Sequence, residues 1–393
     1  MQSFEYHSPT EIIFGREAEA KTPEKIKKYG GTRVFIVYGG GSVVRSGLLA
    51  RLEKMLDEAG LHHISLGGVQ PNPRVGFVRE AIAKAVAFGA DFILPVGGGS
   101  AIDSGKAIAH GTANPDADIW DIWLGKMKLE KTLPLGVVLT IAAAGSETSN
   151  SAVLTNEATG KKCGLGTEFN RPRFAIMNPE LTYTLPRNQI AYGIADILMH
   201  TMDRYFSQID GNDFTDVVAE GLIKNVMRHG RVALEKPDDY HAMSELMWCG
   251  SVSHSNFTGL GRPKDFATHK LGHELSGKFD VAHGASLTAV WGSWARYVYK
   301  ENPERFSHFA SSIWGIQNVD VEQEALAGIA AMERYFSAIG MPINFTELGI
   351  GVQDEAGLAY LADMCTDGGK KTVAEFKKLT RDDVYAIYQM ANH

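Results

Sequence analysis

The first 140 residues alternate apolar runs of strand length with longer stretches in which apolar residues recur at helical spacing. The runs TRVFIVYGGG, LHHISLGGV, DFILPVGGGS and LPLGVVLT predict strands, and the stretches SGLLARLEKMLDEAG, VGFVREAIAKAVAFG and AIDSGKAIAHG predict helices. Strands that alternate with helices at this period form a parallel sheet with helices on its faces. The sequence therefore predicts an α/β domain at the N-terminal end.

The character of the sequence changes after about residue 185. From LPRNQIAYGIADILMHTMDRYF onward nearly every segment has helical period, whereas SAVLTNEATGKKCGLG and RPRFAIMNPELT, which precede it, read as short strands and turns. A chain of 393 residues is also long for a single core. We therefore predict an α/β domain over residues 1–185 and an all-α domain over residues 186–393.

Charge and cysteine content limit the classes of binding partner and the cellular compartment that we expect. The formal charge is −7 and Lys and Arg form no block, which argues against nucleic acid or an anionic membrane as the main partner. The N-terminus lacks a basic and apolar leader pattern, and no apolar run approaches the length of a membrane span. Three widely spaced cysteines fit free thiols in a reducing compartment. We expect a cytoplasmic protein.

Two glycine-rich turns follow predicted strands, GGGSAID at residues 97–103 and YGGGS at residues 38–42. At such a position a helix N-terminus and free backbone N–H groups hold phosphates, and glycines let the backbone approach a pyrophosphate. Both turns would lie at the same edge of the sheet, as in a Rossmann-like nucleotide-binding domain. The alternative for the first turn is a capping box made by Ser100 and Asp103, with no ligand.

The YGGGS turn also bears on the choice of cofactor. NAD sites usually place a carboxylate just after a strand, where it accepts from the ribose hydroxyls. No acid stands here, and the Ser42 hydroxyl, backbone N–H groups and Arg45 suit the extra phosphate of NADP. The sequence therefore favours NADP(H), with an ordinary loop as the alternative.

The stretch HKLGHELSGKFDVAH holds three histidines, and Asp196 with His200 repeats the spacing of His269 with His273. Residues four apart share one helix face, and a turn could bring His283 back toward them. Oxygen and imidazole ligands without Cys suit Fe²⁺ or Zn²⁺ with a position left for substrate. Each pair alone would fit an ordinary amphipathic helix, but together they predict a divalent metal site.

Four motifs together resemble the iron-dependent (group III) alcohol dehydrogenases across essentially the whole chain. They are GGGS-x-x-D at 97–103, TIAAAGSE at 140–147, D-x-x-x-H at 196–200, and H-x-x-x-H with a following H-G at 283–284. Within that family, the YGGGS turn resembles the NADP-preferring butanol dehydrogenase and aldehyde reductase branch. The resemblance implies a Rossmann-like α/β nucleotide-binding domain followed by an all-α metal-binding domain.

The resemblance also implies roles for individual residues. It makes Asp196, His200, His269 and His283 the metal ligands, and it leaves His273 as a non-ligand near the nicotinamide that could carry a proton. It places Asn150 near the substrate. The implied cofactor contacts are Gly39, Gly40, Ser42, Asn72, Gly97, Gly98, Gly99, Ser100, Asp103, Thr140, Ser146, Lys162, Thr182 and Leu185.

Two positions depart from the family pattern. Gly272 precedes the second His of the H-x-x-x-H, where the family often has Glu, and Ala144 stands where relatives carry a hydroxyl that could touch the cofactor. The implied activity is metal-dependent hydride transfer between NADP(H) and short- to medium-chain primary alcohols and aldehydes. An edge strand near the N-terminus would, by resemblance, favour a homodimer.

Three alternatives of function remain open at this point. A dehydroquinate-synthase-like lyase has a related plan but needs basic residues for a phosphorylated substrate, whereas ILMH, SNFTGLG and FATH are mostly apolar or small. Glycerol or diol dehydrogenases of the same family commonly use NAD and a strand-end acid. A metal or nucleotide sensor without catalysis would keep the glycines and lose part of the ligand set.

Overall fold

The computed structural model describes all 393 residues, which form eight strands and sixteen α-helices besides short 3₁₀ turns. The strands are β1 (Glu11–Phe14), β2 (Arg33–Tyr38), β3 (His62–Leu66), β4 (Phe92–Gly97), β5 (Gly136–Leu139), β6 (Ser151–Asn156), β7 (Lys161–Gly166) and β8 (Phe174–Met177). The helices are α1 (Thr22–Lys28), α2 (Ser42–Arg45), α3 (Leu48–Glu58), α4 (Val75–Phe88), α5 (Gly99–Ala113), α6 (Ile119–Trp123), α7 (Arg187–Tyr205), α8 (Asp213–Glu235), α9 (Tyr240–His254), α10 (Ala267–Phe279), α11 (His283–Val298), α12 (Pro303–Trp314), α13 (Val321–Ala338), α14 (Phe345–Leu348), α15 (Glu355–Thr366) and α16 (Arg381–Ala391).

Six strands form one sheet in the order β1-β8-β5-β4-β2-β3, and every neighbouring pair in it is parallel. The four strands predicted within the first 140 residues are β2, β3, β4 and β5 of this sheet. The remaining pair, β6 and β7, makes a separate antiparallel hairpin. The predicted fold class, a parallel-sheet α/β domain followed by helices, is confirmed.

Helices cover both faces of the sheet because the central strands are apolar on both sides. In β2, Phe35 and Val37 join a core with α4, α5 and α6, whereas Val34 and Ile36 join the opposite core with α1 and α3. All four side chains are fully buried. The period of two along a strand therefore divides the apolar residues between the two layers of helices.

The chain separates into two compact units, with a division between Leu185 and Pro186. The sheet unit comprises residues 7–185 and also 236–251, which form most of α9 although they lie beyond residue 185. The helical unit comprises residues 1–6, 186–235 and 252–393. No helix of either unit combines the length and apolar character that crossing a membrane requires.

The start of α5 differs from one of the two expectations for the GGGSAID turn. The helix begins at Gly99, and the residue that caps it, Gly98, makes no side-chain hydrogen bond to the first turn. Ser100 therefore lies inside the helix, and the carboxylate of Asp103 accepts hydrogen bonds from Ser146 Oγ and the backbone N–H of Val153. The capping-box alternative is wrong.

Candidate active site

Asp196 and His200 lie one turn apart on α7, which is buried at nearly every position from Ile190 to Tyr205. His200 Nε2 is 3.4 Å from Asp196 Oδ1, and both side chains are less than a tenth exposed. Burial, reinforced by the neighbouring histidines, holds the pKa of His200 well below its usual value. A neutral imidazole keeps a lone pair available for a cation.

Two further helices bring histidines to the same carboxylate. His269 on α10 and His283, the first residue of α11, each place Nε2 3.7 Å from Asp196 Oδ1. Ligand atoms of Asp196, His200 and His269 all lie within 4.8 Å of one another. The side chain of His283 is the most exposed of the four, at 28%. Three helices thus bring together the four residues expected to bind a metal.

The polar atoms at the centre of this cluster fit a divalent cation. Asp196 Oδ1 and His269 Nε2 are buried and have no hydrogen-bond partner. Leaving such atoms unsatisfied costs about 1–3 kcal/mol each, and more for a charged group. One carboxylate and three imidazoles without a thiolate form a ligand set that accepts Fe²⁺ or Zn²⁺.

Close packing of α11 explains the glycine that follows His283 and the glycine at position 272. A Cβ on Gly284 would lie 2.4 Å from the backbone oxygen of Tyr192 in α7. A Cβ on Gly272 in α10 would lie 2.7 Å from the side chain of Leu287. A side chain at position 272 would therefore require the buried side chain of Leu287 to shift.

His273 lies one turn beyond His269 on α10, and its ring centroid is 5.4 Å from that of His283. Its ring is 6.3 Å from that of His269. The structure thus brings His273 to the edge of the cluster.

Sequence reasoning missed two residues that contact the cluster. His254, at the end of α9, stacks on His200 with ring centroids 3.9 Å apart. Asp203 Oδ2 is hydrogen-bonded to Nδ1 of His269. Asp203 follows Asp196 by seven residues on the same helix, so helical periodicity could have found it. Nothing in the sequence connects His254 to α7.

In the sheet unit, Gly97, Gly98 and Gly99 join β4 to α5, and packing against the following loop constrains two of them. A Cβ on Gly98 would lie 2.1 Å from Ile141 Cγ2, and one on Gly99 would lie 3.2 Å from Ala144 Cβ. The methyl group of Ala144 therefore leaves little room for a side chain at position 99.

A buried polar network joins α5 to the segment that carries Ser146. Lys106 is fully buried, and its Nζ donates to Ser146 Oγ at 2.8 Å and to the backbone oxygen of Ser151 at 2.7 Å. Ser146 Oγ in turn donates to Asp103 at 2.6 Å. Burial lowers the pKa of Lys106 to about 8. Asp103 and Ser146, which are both expected to contact the cofactor, are thus hydrogen-bonded to each other.

Asn72 and Lys162 also lie together, because Lys162 Nζ donates to Asn72 Oδ1 at 2.9 Å. Both side chains are buried, and Asn72 has a φ of 55°, in the left-handed region. The turn after β3 and the hairpin strand β7 therefore present their two expected cofactor residues as a bonded pair.

The remaining expected residues of this unit take part in loop hydrogen bonds. Thr140 N donates to the backbone oxygen of Gly97, Leu185 N donates to that of Thr182, and the Thr182 hydroxyl donates to Pro179 O at 2.6 Å. The side-chain amide of Asn150 donates to Glu168 Oε1 at 2.9 Å.

The YGGGS turn is more open than the turn at Gly97–Gly99. A Cβ on Gly40 would meet nothing within 4 Å, and one on Gly39 would only touch the backbone oxygen of Val69 at 3.5 Å. Ser42 is the first residue of α2, and the guanidinium of Arg45 lies beside Gly41. Free space and a nearby cation, with no carboxylate at positions 39–42, suit an anionic group.

Two models of one protein family match this chain over nearly its whole length. The family model for iron-containing alcohol dehydrogenase matches residues 9–179, and the model for the C-terminal domain of the Fe-containing alcohol dehydrogenase family matches residues 190–392. The chain is 37% identical to NADH-dependent butanol dehydrogenase A of Clostridium acetobutylicum over 99% of both chains. It is 32% identical to the NADPH-dependent aldehyde reductase YqhD of Escherichia coli over 100% of both.

Solved structures agree with these matches. The structure of NADH-dependent butanol dehydrogenase A from Thermotoga maritima superposes with a TM-score of 0.95 at 35% identity, covering 100% of this chain and 99% of that one. The structure of Escherichia coli YqhD superposes with a TM-score of 0.94 at 31% identity, with the same coverage. The similarity therefore extends over both units.

Proposed function

This chain belongs to the iron-containing alcohol dehydrogenase family, and we propose that it interconverts short- to medium-chain primary alcohols and aldehydes, using NADP(H) and one divalent metal. The observation that carries the proposal is the buried cluster of Asp196, His200 and His269, with His283 beside it. Its unsatisfied oxygen and nitrogen atoms suit a divalent cation, and the relatives at 32–37% identity over nearly the whole of both chains include butanol dehydrogenases and an aldehyde reductase.

The four residues would hold either Fe²⁺ or Zn²⁺, since neither the ligand types nor their distances favour one ion. A bound divalent cation supplies Lewis acidity to the substrate oxygen, and the nicotinamide supplies or accepts the hydride. Asp196 contributes the negative charge of the cluster, while burial keeps the His200 imidazole neutral and able to donate its lone pair.

The preference for NADP(H) rests on the YGGGS turn. Ser42, the guanidinium of Arg45 and the backbone of Gly40 would bind the 2′-phosphate, where an acid would repel it. The relatives differ in their cofactor, since the butanol dehydrogenases are named as NADH-dependent and YqhD as NADPH-dependent. The loop chemistry of this chain is the argument for NADPH.

We assign to His273 the transfer of a proton between an imidazole nitrogen and the oxygen of the substrate. Its ring centroid lies 6.3 Å from that of His269 and 5.4 Å from that of His283, so His273 lies beside the proposed ligands. Asn150 remains a candidate for contact with the substrate. The enzyme is further proposed to act in the cytoplasm as a homodimer, for which β1 offers an edge with a single neighbouring strand.

The test is NADPH oxidation with butanal as substrate, on protein stripped with a chelator and reloaded separately with Fe²⁺ or Zn²⁺. We expect activity to vanish with the metal and to return with at least one ion. Parallel assays with NADH and with 1,3-propanediol and NADP⁺ test the cofactor and a diol preference, since 1,3-propanediol dehydrogenases match at 29% identity. Absence of activity under every loading would overturn the proposal.

A further inference from the structure

Asp203 is a buried carboxylate that lies directly behind one of the proposed metal ligands. Its side chain is 1% exposed, and Oδ2 shares a hydrogen bond with Nδ1 of His269. The other carboxylate oxygen, Oδ1, has no hydrogen-bond partner. Asp203 thus engages a single imidazole, on the side of the ring away from Nε2.

This hydrogen bond determines which nitrogen of His269 carries the proton. A carboxylate accepts, so Nδ1 of His269 must donate, and the neutral ring then has its lone pair on Nε2. That nitrogen is buried, lacks a hydrogen-bond partner and lies 3.7 Å from Asp196 Oδ1. Whenever the ring is neutral, Nε2 therefore faces Asp196 Oδ1 with the lone pair that a cation needs.

The backbone holds Asp203 and His269 in register. The carbonyl oxygen of Asp203 accepts from the N–H of Asp265 at 2.8 Å. The carboxylate of Asp265 accepts from the N–H of Ala267, the first residue of α10, at 3.1 Å. The start of the helix that carries His269 is thus tied to Asp203 by a short chain of hydrogen bonds.

Charge gives Asp203 a second role. Asp196 alone would leave a bound divalent cation with one uncompensated positive charge among buried groups, and an uncompensated buried charge is costly. Asp203 adds a second negative charge through the imidazole of His269, and it lies among two other buried charged groups, the guanidinium of Arg204 and the carboxylate of Asp265. We propose, on the basis of the metal-dependent function above, that Asp203 is a positioning residue that orients His269 and balances the charge of the cation.

The test measures metal binding rather than turnover. Apo-protein of the wild type, Asp203→Asn, Asp203→Glu and the control Glu220→Gln would be titrated with Zn²⁺ and Co²⁺ against a chelator of known affinity. Glu220 is a matched control because it is a buried carboxylate that also contacts a histidine, with Oε1 2.9 Å from Nε2 of His308.

We expect Asp203→Asn to weaken binding about 10–100-fold and to alter the visible spectrum of bound Co²⁺. Asp203→Glu should recover part of the affinity, and Glu220→Gln should match the wild type. Equal affinity and spectrum for Asp203→Asn and the wild type would overturn the role of Asp203 alone. A wild type that binds no divalent metal would overturn the proposed function with it.

A measurement on the wild type covers the case in which Asp203→Asn does not fold. Nitrogen-15 shifts of the histidine side chains in the apo-protein, assigned with His269→Gln, report the tautomer of each ring. At a pH at which the ring is neutral, we expect the proton of His269 on Nδ1. A neutral His269 ring with its proton on Nε2 would overturn the inference.

Discussion

Asp196 Oδ1 and His269 Nε2 face each other at 3.7 Å, and neither atom has a hydrogen-bond partner. One residue comes from α7 and the other from α10, so two helices bring an acceptor oxygen and a ring nitrogen to one buried point. A cation would satisfy both atoms at once. Without it, the folded protein keeps two unsatisfied polar atoms in its interior.

Removal of the metal is therefore expected to destabilise the protein. Binding to the folded state adds RT ln(1 + [L]/Kd), which is about 2.7 kcal/mol at a concentration of 100 Kd. The melting temperature of chelator-treated protein should rise when Zn²⁺ is added, as measured by calorimetry. Asp196→Asn should lose most of this rise. An equal rise in both proteins would contradict the assignment of Asp196.

Gly39→Asp is expected to shift cofactor preference toward NADH. The position has room, because a Cβ there would only touch the Val69 carbonyl oxygen at 3.5 Å. A carboxylate would repel a 2′-phosphate and could accept from the ribose hydroxyls. We expect the ratio of kcat/KM for NADPH over NADH to fall at least about tenfold, which corresponds to roughly 1.4 kcal/mol.

The control for this change is Gly39→Asn, which has nearly the same shape without the charge. The ratio of kcat/KM for NADPH over NADH in this variant should stay closer to that of the wild type. If the wild type itself uses both cofactors equally or prefers NADH, the proposed phosphate contacts at Ser42 and Arg45 are incorrect.

His273→Phe is expected to lower kcat by about 10²–10⁴, the usual contribution of a general acid or base. The pH profile of kcat should lose the limb that His273 contributes. Metal content should not change, because His273 is not one of the four proposed ligands. Normal turnover with an unshifted pH profile would remove His273 from the reaction.

His110 makes the stability of the protein sensitive to acid. Its ring is fully buried between Thr132 Oγ1 and Asn170 Oδ1, and burial lowers the pKa of His110 from 6.5 to about 4. Between these two values the unfolded chain binds more protons than the folded one, so the free energy of unfolding falls as the pH falls. At about 1.4 kcal/mol per unit, His110 should cost about 2–3 kcal/mol between pH ~7 and ~4.5.

The measurement compares urea unfolding of the wild type and His110→Gln at both pH values. Gln keeps a donor and an acceptor but does not titrate, so the variant should lose less stability on acidification. Parallel losses in the two proteins would show that His110 is not the group responsible.

The regular secondary structure could be predicted from sequence because it follows from the periodicity of apolar residues. The strands from β2 to β5 and the long helices after residue 186 occur where apolar spacing places them. The alternative of a capping box at Ser100 was wrong because the helix begins one residue earlier, at Gly99, and Gly98 precedes it without a side-chain cap. His254 could not be predicted because its contact with His200 depends on how α9 and α7 pack, which spacing along the chain does not encode.

The first turn of α11 touches the main chain of α7, since Gly284 leaves no room for a side chain against Tyr192. This contact between the two backbones therefore fixes how closely the start of α11, which carries His283, approaches α7. Exchange of His283 for another ligand would change the donor atom and the length of its side chain, while this contact would keep the backbone at position 283 in place. A single methyl group added at Gly284 would meet the backbone of Tyr192, so α7 and α11 would have to shift and His283 would move relative to Asp196.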